Sequence, residues 1–156
     1  MSVESPGERM ETMLDLKIVH RTLIRSDPES VYDALTTGEG FDSWFTRGSE
    51  IDARPGGSYV FRWRGWGPDK TDGDRSGPVI DAQRPSRYVF QWNEHLGQRT
   101  TVAFALDAVP DGTVVTVTET GYPDTPDGRF QIMDCAVGWG EALTLLKFWI
   151  EHGVRY

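Results

Sequence analysis

The feature that most constrains the fold is a series of strand patterns between residues 50 and 121, separated by short turns. The candidate strands lie at 50–53, 57–65, 74–83, 86–93, 98–108 and 113–121. The intervening segments, such as 54–57 and 109–113, are rich in Pro, Gly and Asp, which favour tight turns. Because these connections are too short for crossover helices, we expect consecutive strands to pair as an antiparallel meander.

A strand and two short helices are predicted before the meander. Residues 14–25 alternate between two faces and predict the first strand. The first helix runs to Leu35 from an N-cap that is either Ser26 or Asp27. The second is a helical turn over 40–45, after a break at two glycines.

A long helix is predicted after the last strand. From Pro126, with Thr125 as N-cap, apolar residues recur at helical spacing toward Gly153. About 24 residues of helix would span about 36 Å, enough to cross a sheet. The element order predicts an α+β fold, in which a curved antiparallel sheet of six to seven strands wraps round the C-terminal helix. Because one helix cannot fill the concave side of such a sheet, we expect a cavity.

Length and charge limit the classes of partner. The 156 residues correspond to one domain, and we predict a disordered tail over residues 1–12 and a single domain over 13–156. A net charge of -8 argues against binding to nucleic acid or to an anionic membrane.

The single cysteine, Cys135, cannot form an intramolecular disulfide. With neither a secretory signal pattern nor a long apolar run, the expected location is the cytoplasm.

No pattern for catalysis or for a cofactor is present. The three histidines are far apart and lack zinc-site spacing, so we predict no metal. The glycine-rich segments match no phosphate-binding loop, and no nucleophile elbow occurs. We therefore predict no cofactor and assign no catalytic residue.

Aromatic residues are concentrated on one face of the predicted sheet. Tyr59, Phe61 and Trp63 alternate along one strand, and a second triplet, ending at Phe90 and Trp92, alternates along another. Two interpretations stay open, since the rings could fill a core or line a pocket the size of a ligand. Trp66, in the loop 65–73, could likewise be exposed or fold back on the sheet.

Several segments together resemble a known superfamily. They are the string 27–35, the later Trp44, the turn 54–57 before an aromatic strand, the segment 85–92 and the segment 137–143. In these the chain resembles the SRPBCC superfamily, and within it the group related to the C-terminal domain of the activator of the ninety-kilodalton heat-shock protein ATPase. The resemblance covers residues 14–153. It implies a helix-grip fold, as in START domains and birch-pollen-type proteins, with a cavity between the sheet and the long helix.

The residues expected to line the cavity come from the aromatic pattern and from the family's packing positions. They are Trp44, Tyr59, Phe61, Trp63, Tyr88, Phe90, Trp92, Phe104, Trp139 and Leu143. Two polar residues are candidate anchors for a ligand. His20 lies on the apolar face of the first strand, and Glu119 ends the inward face of the last strand.

These expectations favour a protein that binds a hydrophobic or aromatic small molecule in an internal cavity. One alternative is a chaperone-linked interaction protein, although the eukaryotic co-chaperone makes much of its chaperone contact through an additional N-terminal domain. The other is an enzyme resembling polyketide cyclases or dehydratases, which requires an acid–base pair such as His20 and Glu119 in one cavity. The expected oligomeric state is a monomer or a homodimer.

Overall fold

The computed structural model describes residues 12–95 and 98–156. Its elements, in chain order, are β1 (Ile18–Ile24), α1 (Pro28–Thr36), α2 (Gly38–Trp44), β2 (Glu50–Ile51), β3 (Ser58–Trp66), β4 (Thr71–Gln83), β5 (Arg87–His95), β6 (Gln98–Val109), β7 (Gly112–Thr120) and α3 (Pro126–His152). The prediction of a disordered tail lies, apart from Thr12, outside the described residues.

The seven strands form one antiparallel sheet with the order β1-β7-β6-β5-β4-β3-β2. β2 to β7 are the predicted meander, in which each strand pairs with its neighbour in sequence. β1 instead pairs with β7, and Ile18 faces Glu119 across the two strands. The predicted fold class, with its curved sheet and long C-terminal helix, is confirmed.

Polar caps fix where the helices begin. Asp27 caps α1 by accepting a hydrogen bond of 2.9 Å from the backbone nitrogen of Ser30. Thr37 ends α1 and caps α2, which is why α2 begins earlier than the predicted helical turn. Thr125 caps α3 as predicted, and Gly153 ends it with a φ of 67°, in the left-handed region that favours glycine.

The helices cover one face of the sheet. α3 packs mainly against β1, α1 packs beside β6 and β7, and α2 lies between α3 and β2. No helix within the described residues is long and apolar enough to cross a membrane.

The middle of the space between sheet and helices is filled by aromatic rings. Tyr59 and Phe61 stack with ring centroids 4.2 Å apart, and Phe90 packs edge-on against Tyr59 at 5.0 Å. Phe104 contacts Phe90 from the next strand, at 6.2 Å. Rings this close leave no room for a ligand among them. The concave side of the sheet therefore holds a packed core at its centre.

Candidate functional site

An open pocket lies where this aromatic core ends, between the sheet and α3. Its volume is about 390 Å³. The sheet contributes Trp63 and Trp66 from β3 and Trp92 from β5, and α3 contributes Trp139. Phe45, the residue after α2, closes one side. We call this hollow the tryptophan pocket.

The rings of the pocket stand at steep angles to one another. Trp63 and Trp92 have centroids 5.9 Å apart and planes at 75°. Phe45 meets Trp63 at 5.4 Å and 77°, and Trp66 at 4.9 Å and 76°. Trp139 closes the opposite side, 5.8 Å from Trp92. Edge-to-face contacts of this kind hold the rings in place and leave ring surface facing the hollow.

Irregularities in the strands direct side chains to the pocket. The pairing of β3 with β4 shifts between Trp63 and Trp66, and that of β5 with β6 shifts between Gln91 and Glu94. A bulge disturbs the strict alternation of side chains along a strand. As a result Trp92 and Asn93, although consecutive, both line the pocket.

A buried polar network lies directly beneath the pocket. Glu119 is 0% exposed, and its Oε1 accepts a hydrogen bond of 2.8 Å from the indole nitrogen of Trp139. Its Oε2 accepts hydrogen bonds from the Tyr122 hydroxyl at 2.5 Å and from the Asn93 amide at 3.4 Å. The Asn93 amide also donates to the Tyr122 hydroxyl and to the sulfur of Cys135, at 3.0 and 3.1 Å. The carboxyl group is thus satisfied by side chains of β5, α3 and the segment between β7 and α3.

Burial keeps two members of this network, Tyr122 and Cys135, protonated. Burial, followed by the nearby charge of Glu119, raises the pKa of Tyr122 well above its ordinary range. Burial also raises the pKa of the Cys135 thiol, although its hydrogen bonds with Tyr122 and Asn93 act in the opposite direction. At neutral pH Cys135 is therefore a thiol and not a reactive thiolate.

Arg75 on β4 brings a positive charge to the edge of the pocket. Its Cζ lies 4.5 Å from the ring centroid of Trp92, and its guanidinium donates a hydrogen bond to the Asn93 side-chain oxygen. The facing wall, on α3, carries the exposed carboxylates Asp134 and Glu141 together with Gln131. The rim of the pocket is thus polar, whereas its interior is aromatic.

Two hollows of about 460 Å³ each adjoin the tryptophan pocket. One lies between α2 and the C-terminus, where the rings of Trp66 and Tyr156 are 4.6 Å apart and the Tyr156 hydroxyl accepts a hydrogen bond of 2.5 Å from the Gly67 backbone. Trp66 therefore folds back on the protein. The other hollow lies on the far side of Arg75, beside Arg99.

The ten residues expected to line a cavity comprise three that line the tryptophan pocket, six that lie in the packed core, and Trp44. Trp63, Trp92 and Trp139 line the tryptophan pocket. Trp44 is buried, donates from its indole to the Ala34 carbonyl at 2.8 Å and borders the hollow near the C-terminus. The six that lie in the packed core, each 2% exposed or less, are Tyr59, Phe61, Tyr88, Phe90, Phe104 and Leu143.

The two expected polar anchors do not meet in the pocket. Glu119 is fully buried and reaches the pocket only through Trp139 and Asn93. His20 is half-buried on β1, paired in register with Val117, and does not line the pocket. No observation favours the acid–base pair that a cyclase or dehydratase would need. Nor do any three His, Cys, Asp or Glu side chains of the described residues form a group able to hold a metal ion.

Sequence reasoning missed Asn93, Arg75 and Phe45. Strict alternation along β5 places Asn93 on the opposite face from Trp92, and only the bulge brings it inward. The sequence around Arg75, TDGDRSGPVI, has no clear alternation from which the face of the sheet occupied by Arg75 could be assigned. Phe45 is the residue after the end of α2, and the direction of its side chain depends on the backbone conformation at that end of the helix.

Solved structures of other proteins share this fold. The solution structure of the Aha1 dimer from Colwellia psychrerythraea is 26% identical, with a TM-score of 0.74 over 88% of this chain and 98% of that one. A protein from Staphylococcus saprophyticus is 20% identical, with a TM-score of 0.73 over 89% of this chain and 94% of that one. CalU16 from Micromonospora echinospora is 21% identical, with a TM-score of 0.69 over 86% and 74% of the two chains.

Sequence comparison assigns the family. No curated protein is significantly similar to the chain in sequence. A family model does match, and it covers residues 25–151, from the end of β1 almost to the end of α3. This match confirms the resemblance drawn from the sequence motifs, and the chain belongs to the family described as Activator of Hsp90 ATPase homolog 1-like protein.

Proposed function

We propose that the protein binds a hydrophobic or aromatic small molecule in the tryptophan pocket. The observation that carries this proposal is that three tryptophans, Trp63, Trp66 and Trp92, stay only half-buried around an open hollow, whereas the neighbouring core rings are fully packed. The hollow's volume of about 390 Å³ falls within the range of small-molecule sites.

The pocket's chemistry agrees with such a ligand. Covering about 200 Å² of apolar surface contributes roughly 5 kcal/mol at about 25 cal/mol per Å². The steeply inclined rings offer both faces and edges to an aromatic guest. The few polar groups at the rim, Asn93, Arg75 and Gln131, can set the ligand's orientation.

The test is a titration with Nile red, a neutral dye whose emission rises in apolar surroundings, followed by competition with sterols, fatty acids and polycyclic aromatics. We expect saturable binding that Trp92→Leu weakens about tenfold, equivalent to ~1.4 kcal/mol. The matched control is Trp149→Leu, which removes a half-buried indole of α3 outside the pocket and should change affinity less than about twofold. Absence of binding to the folded wild-type protein would contradict the proposal.

A second candidate function, protein interaction, is supported by an exposed apolar stripe on α3. Phe130, Met133 and Val137 are 64%, 71% and 74% exposed, and their spacing of three and four residues places them on one helix face. We propose this stripe as the contact with a second copy of the chain. The dimeric relative from Colwellia psychrerythraea supports this occupant, and a heat-shock ATPase, which the family description suggests, is the other outcome of the test.

This candidate is tested by light scattering after size exclusion and by stimulation of a bacterial heat-shock ATPase. The double variant Met133→Glu and Val137→Glu should abolish the dimer or the stimulation, because it buries charge at the contact. Val19→Glu is the control, since Val19 is exposed on β1 away from the stripe. A monomeric wild-type protein would contradict this proposal, and stimulation of the ATPase by that monomer would point to the heat-shock protein as the occupant instead.

A further inference from the structure

Arg75, at the edge of the tryptophan pocket, forms no ion pair within the described residues. It is the single basic side chain among the described residues that line the pocket. Eight other arginines form ion pairs with Asp or Glu, yet Arg75 has no carboxylate partner among the residues described. Its observed contacts, with the Trp92 ring and the Asn93 amide oxygen, are to neutral groups. Arg75 therefore forms no direct ion pair within the described residues, although the carboxylates of Asp74, Glu94 and Asp127 line the hollow on its far side.

The guanidinium has bonding capacity left for a ligand. An arginine side chain carries five N–H donors in a planar fork, and Asn93 accepts from one η nitrogen of Arg75. Two parallel donors of such a fork match the two oxygens of a carboxylate. Contact with the Trp92 ring at 4.5 Å holds this fork beside the aromatic surface of the pocket.

The buried network fixes the orientation of the Asn93 side chain, which in turn positions Arg75. The Asn93 nitrogen donates to Glu119 and Tyr122, which are buried in the core, and to Cys135, which lines the pocket on the α3 side. The amide oxygen must then face the other way, where it accepts from Arg75. Glu119 is thus a positioning residue, since it acts on Arg75 through the orientation of Asn93.

The charges on the opposite wall restrict where an anion can lie. Asp134 and Glu141 are exposed on α3 and line the same pocket. An anionic group near α3 would be repelled by these carboxylates, whereas near β4 it would meet Arg75. With one basic and two acidic side chains among the described residues of the lining, the pocket also disfavours ligands with several negative charges.

We infer that the ligand of the tryptophan pocket is a planar aromatic monocarboxylate, whose carboxylate binds Arg75 and whose ring packs against Trp92 and Trp139. This inference rests on the proposed function, because it specifies the ligand of the same pocket. It assigns Arg75 as the residue that selects the charge of the ligand.

The test compares three ligands that share one ring system: 2-naphthoate, the neutral 2-naphthamide and the cationic 2-naphthylmethylamine. Isothermal titration calorimetry on the full chain should give an affinity for 2-naphthoate at least about tenfold higher than for 2-naphthamide, since a charge-assisted bidentate pair is added. The preference should shrink as NaCl rises from about 0.05 to about 0.5 M, because salt screens the exposed pair.

Variants separate charge recognition from binding itself. Arg75→Gln should remove the preference for 2-naphthoate and leave the affinity for 2-naphthamide within about twofold of the wild-type value. Arg75→Lys should keep only part of the preference for 2-naphthoate. Arg54→Gln is the matched control, because Arg54 is an exposed arginine outside the pocket that pairs with Asp52. Circular dichroism verifies that each variant is folded.

The outcomes distinguish this inference from the proposed function. Equal binding of 2-naphthoate and 2-naphthamide, tighter binding of the amine, or a carboxylate preference that survives Arg75→Gln would overturn the inference while the pocket's binding function stands. If none of the three naphthalenes binds and Nile red also fails to bind, the proposed function fails and the inference with it.

Discussion

The carboxyl group of Glu119 and the indole of Trp139 are joined by a hydrogen bond of 2.8 Å that links the last strand of the sheet to the C-terminal helix beneath the pocket. Glu119 lies on a strand and Trp139 on a helix, and both side chains are buried, since each residue is 6% exposed or less. Trp139 presents its ring to the pocket and its nitrogen to the core. The position of one pocket wall thus depends on a group that never reaches the pocket.

We expect Glu119→Gln to lower the free energy of unfolding by about 1–3 kcal/mol. The replacement amide offers one acceptor oxygen, so it cannot accept from Trp139, Tyr122 and Asn93 as two carboxyl oxygens do, and a buried donor is left unsatisfied. Urea denaturation measures the change. Glu94→Gln, at an exposed position 3.8 Å from Arg99, should alter stability by less than about 0.5 kcal/mol. An unchanged or increased stability for Glu119→Gln would mean that burying the carboxyl group costs more than its hydrogen bonds return.

Replacing Tyr88 and replacing Tyr122 with Phe should change the free energy of unfolding in opposite directions. The hydroxyl of Tyr88 is buried without a hydrogen-bond partner among the described residues, whereas that of Tyr122 bonds with Glu119 and Asn93. Tyr88→Phe removes an unsatisfied polar group and should stabilise the protein by about 1 kcal/mol, while Tyr122→Phe should destabilise it by about 1–3 kcal/mol. Thermal and urea unfolding of the pair give both values. Destabilisation by Tyr88→Phe would indicate a partner for that hydroxyl, such as a buried water.

The contact between Tyr156 and the β3–β4 hairpin should hold Trp66 at the pocket. Tyr156→Ala removes both the ring contact and the acceptor of the Gly67 amide. We expect faster amide hydrogen exchange at Gly67 and its neighbours, and a loss of at most about 1 kcal/mol in global stability, because the contact lies at the surface. Tyr156→Phe, which keeps the ring, should affect the exchange of Gly67 alone. Exchange unchanged in both variants would show that Tyr156 does not restrain the hairpin.

Alkylation of Cys135 should be slow at neutral pH and accelerate in alkaline solution. Burial raises the thiol's pKa, so at any given pH less of the reactive thiolate is present than in an ordinary cysteine. The rate of reaction with iodoacetamide between about pH 7 and pH 10, compared with that of a cysteine-containing peptide, measures this shift. Because Cys135 lines the pocket, a bound naphthalene ligand should slow the reaction further. A rate equal to the peptide's at pH 7 would contradict the shift.

The local patterns of the sequence were sufficient for the secondary structure and for the order of the meander. Thr125, Pro126 and Gly153 mark the bounds of α3, because capping depends on residues that are neighbours in sequence. The inward placement of Glu119 also followed from alternation along β7. The register shifts could not be predicted from this alternation, since a bulge arises where two strands must adapt to each other.

The aromatic residues mark the limit of what sequence can decide. Alternation identified both inward rows of rings, but it treated the last ring of each row as equal to the first. In the folded protein Tyr59 and Phe61 are sealed by neighbouring rings, while Trp63, further along the same strand, borders the pocket. Which ring is core and which is pocket depends on how closely α2 and α3 pack over each part of the sheet.

The sequence by itself determined the elements, their caps, the meander and the side of the sheet on which the aromatic rings lie, because each depends on residues close together in the chain. Only the tertiary structure decided that β1 pairs with β7, that Asn93 turns inward to meet Glu119, and that Arg75 stands over Trp92. These relationships join residues that are distant in sequence. They follow from packing and burial in three dimensions, which no periodicity along the chain encodes.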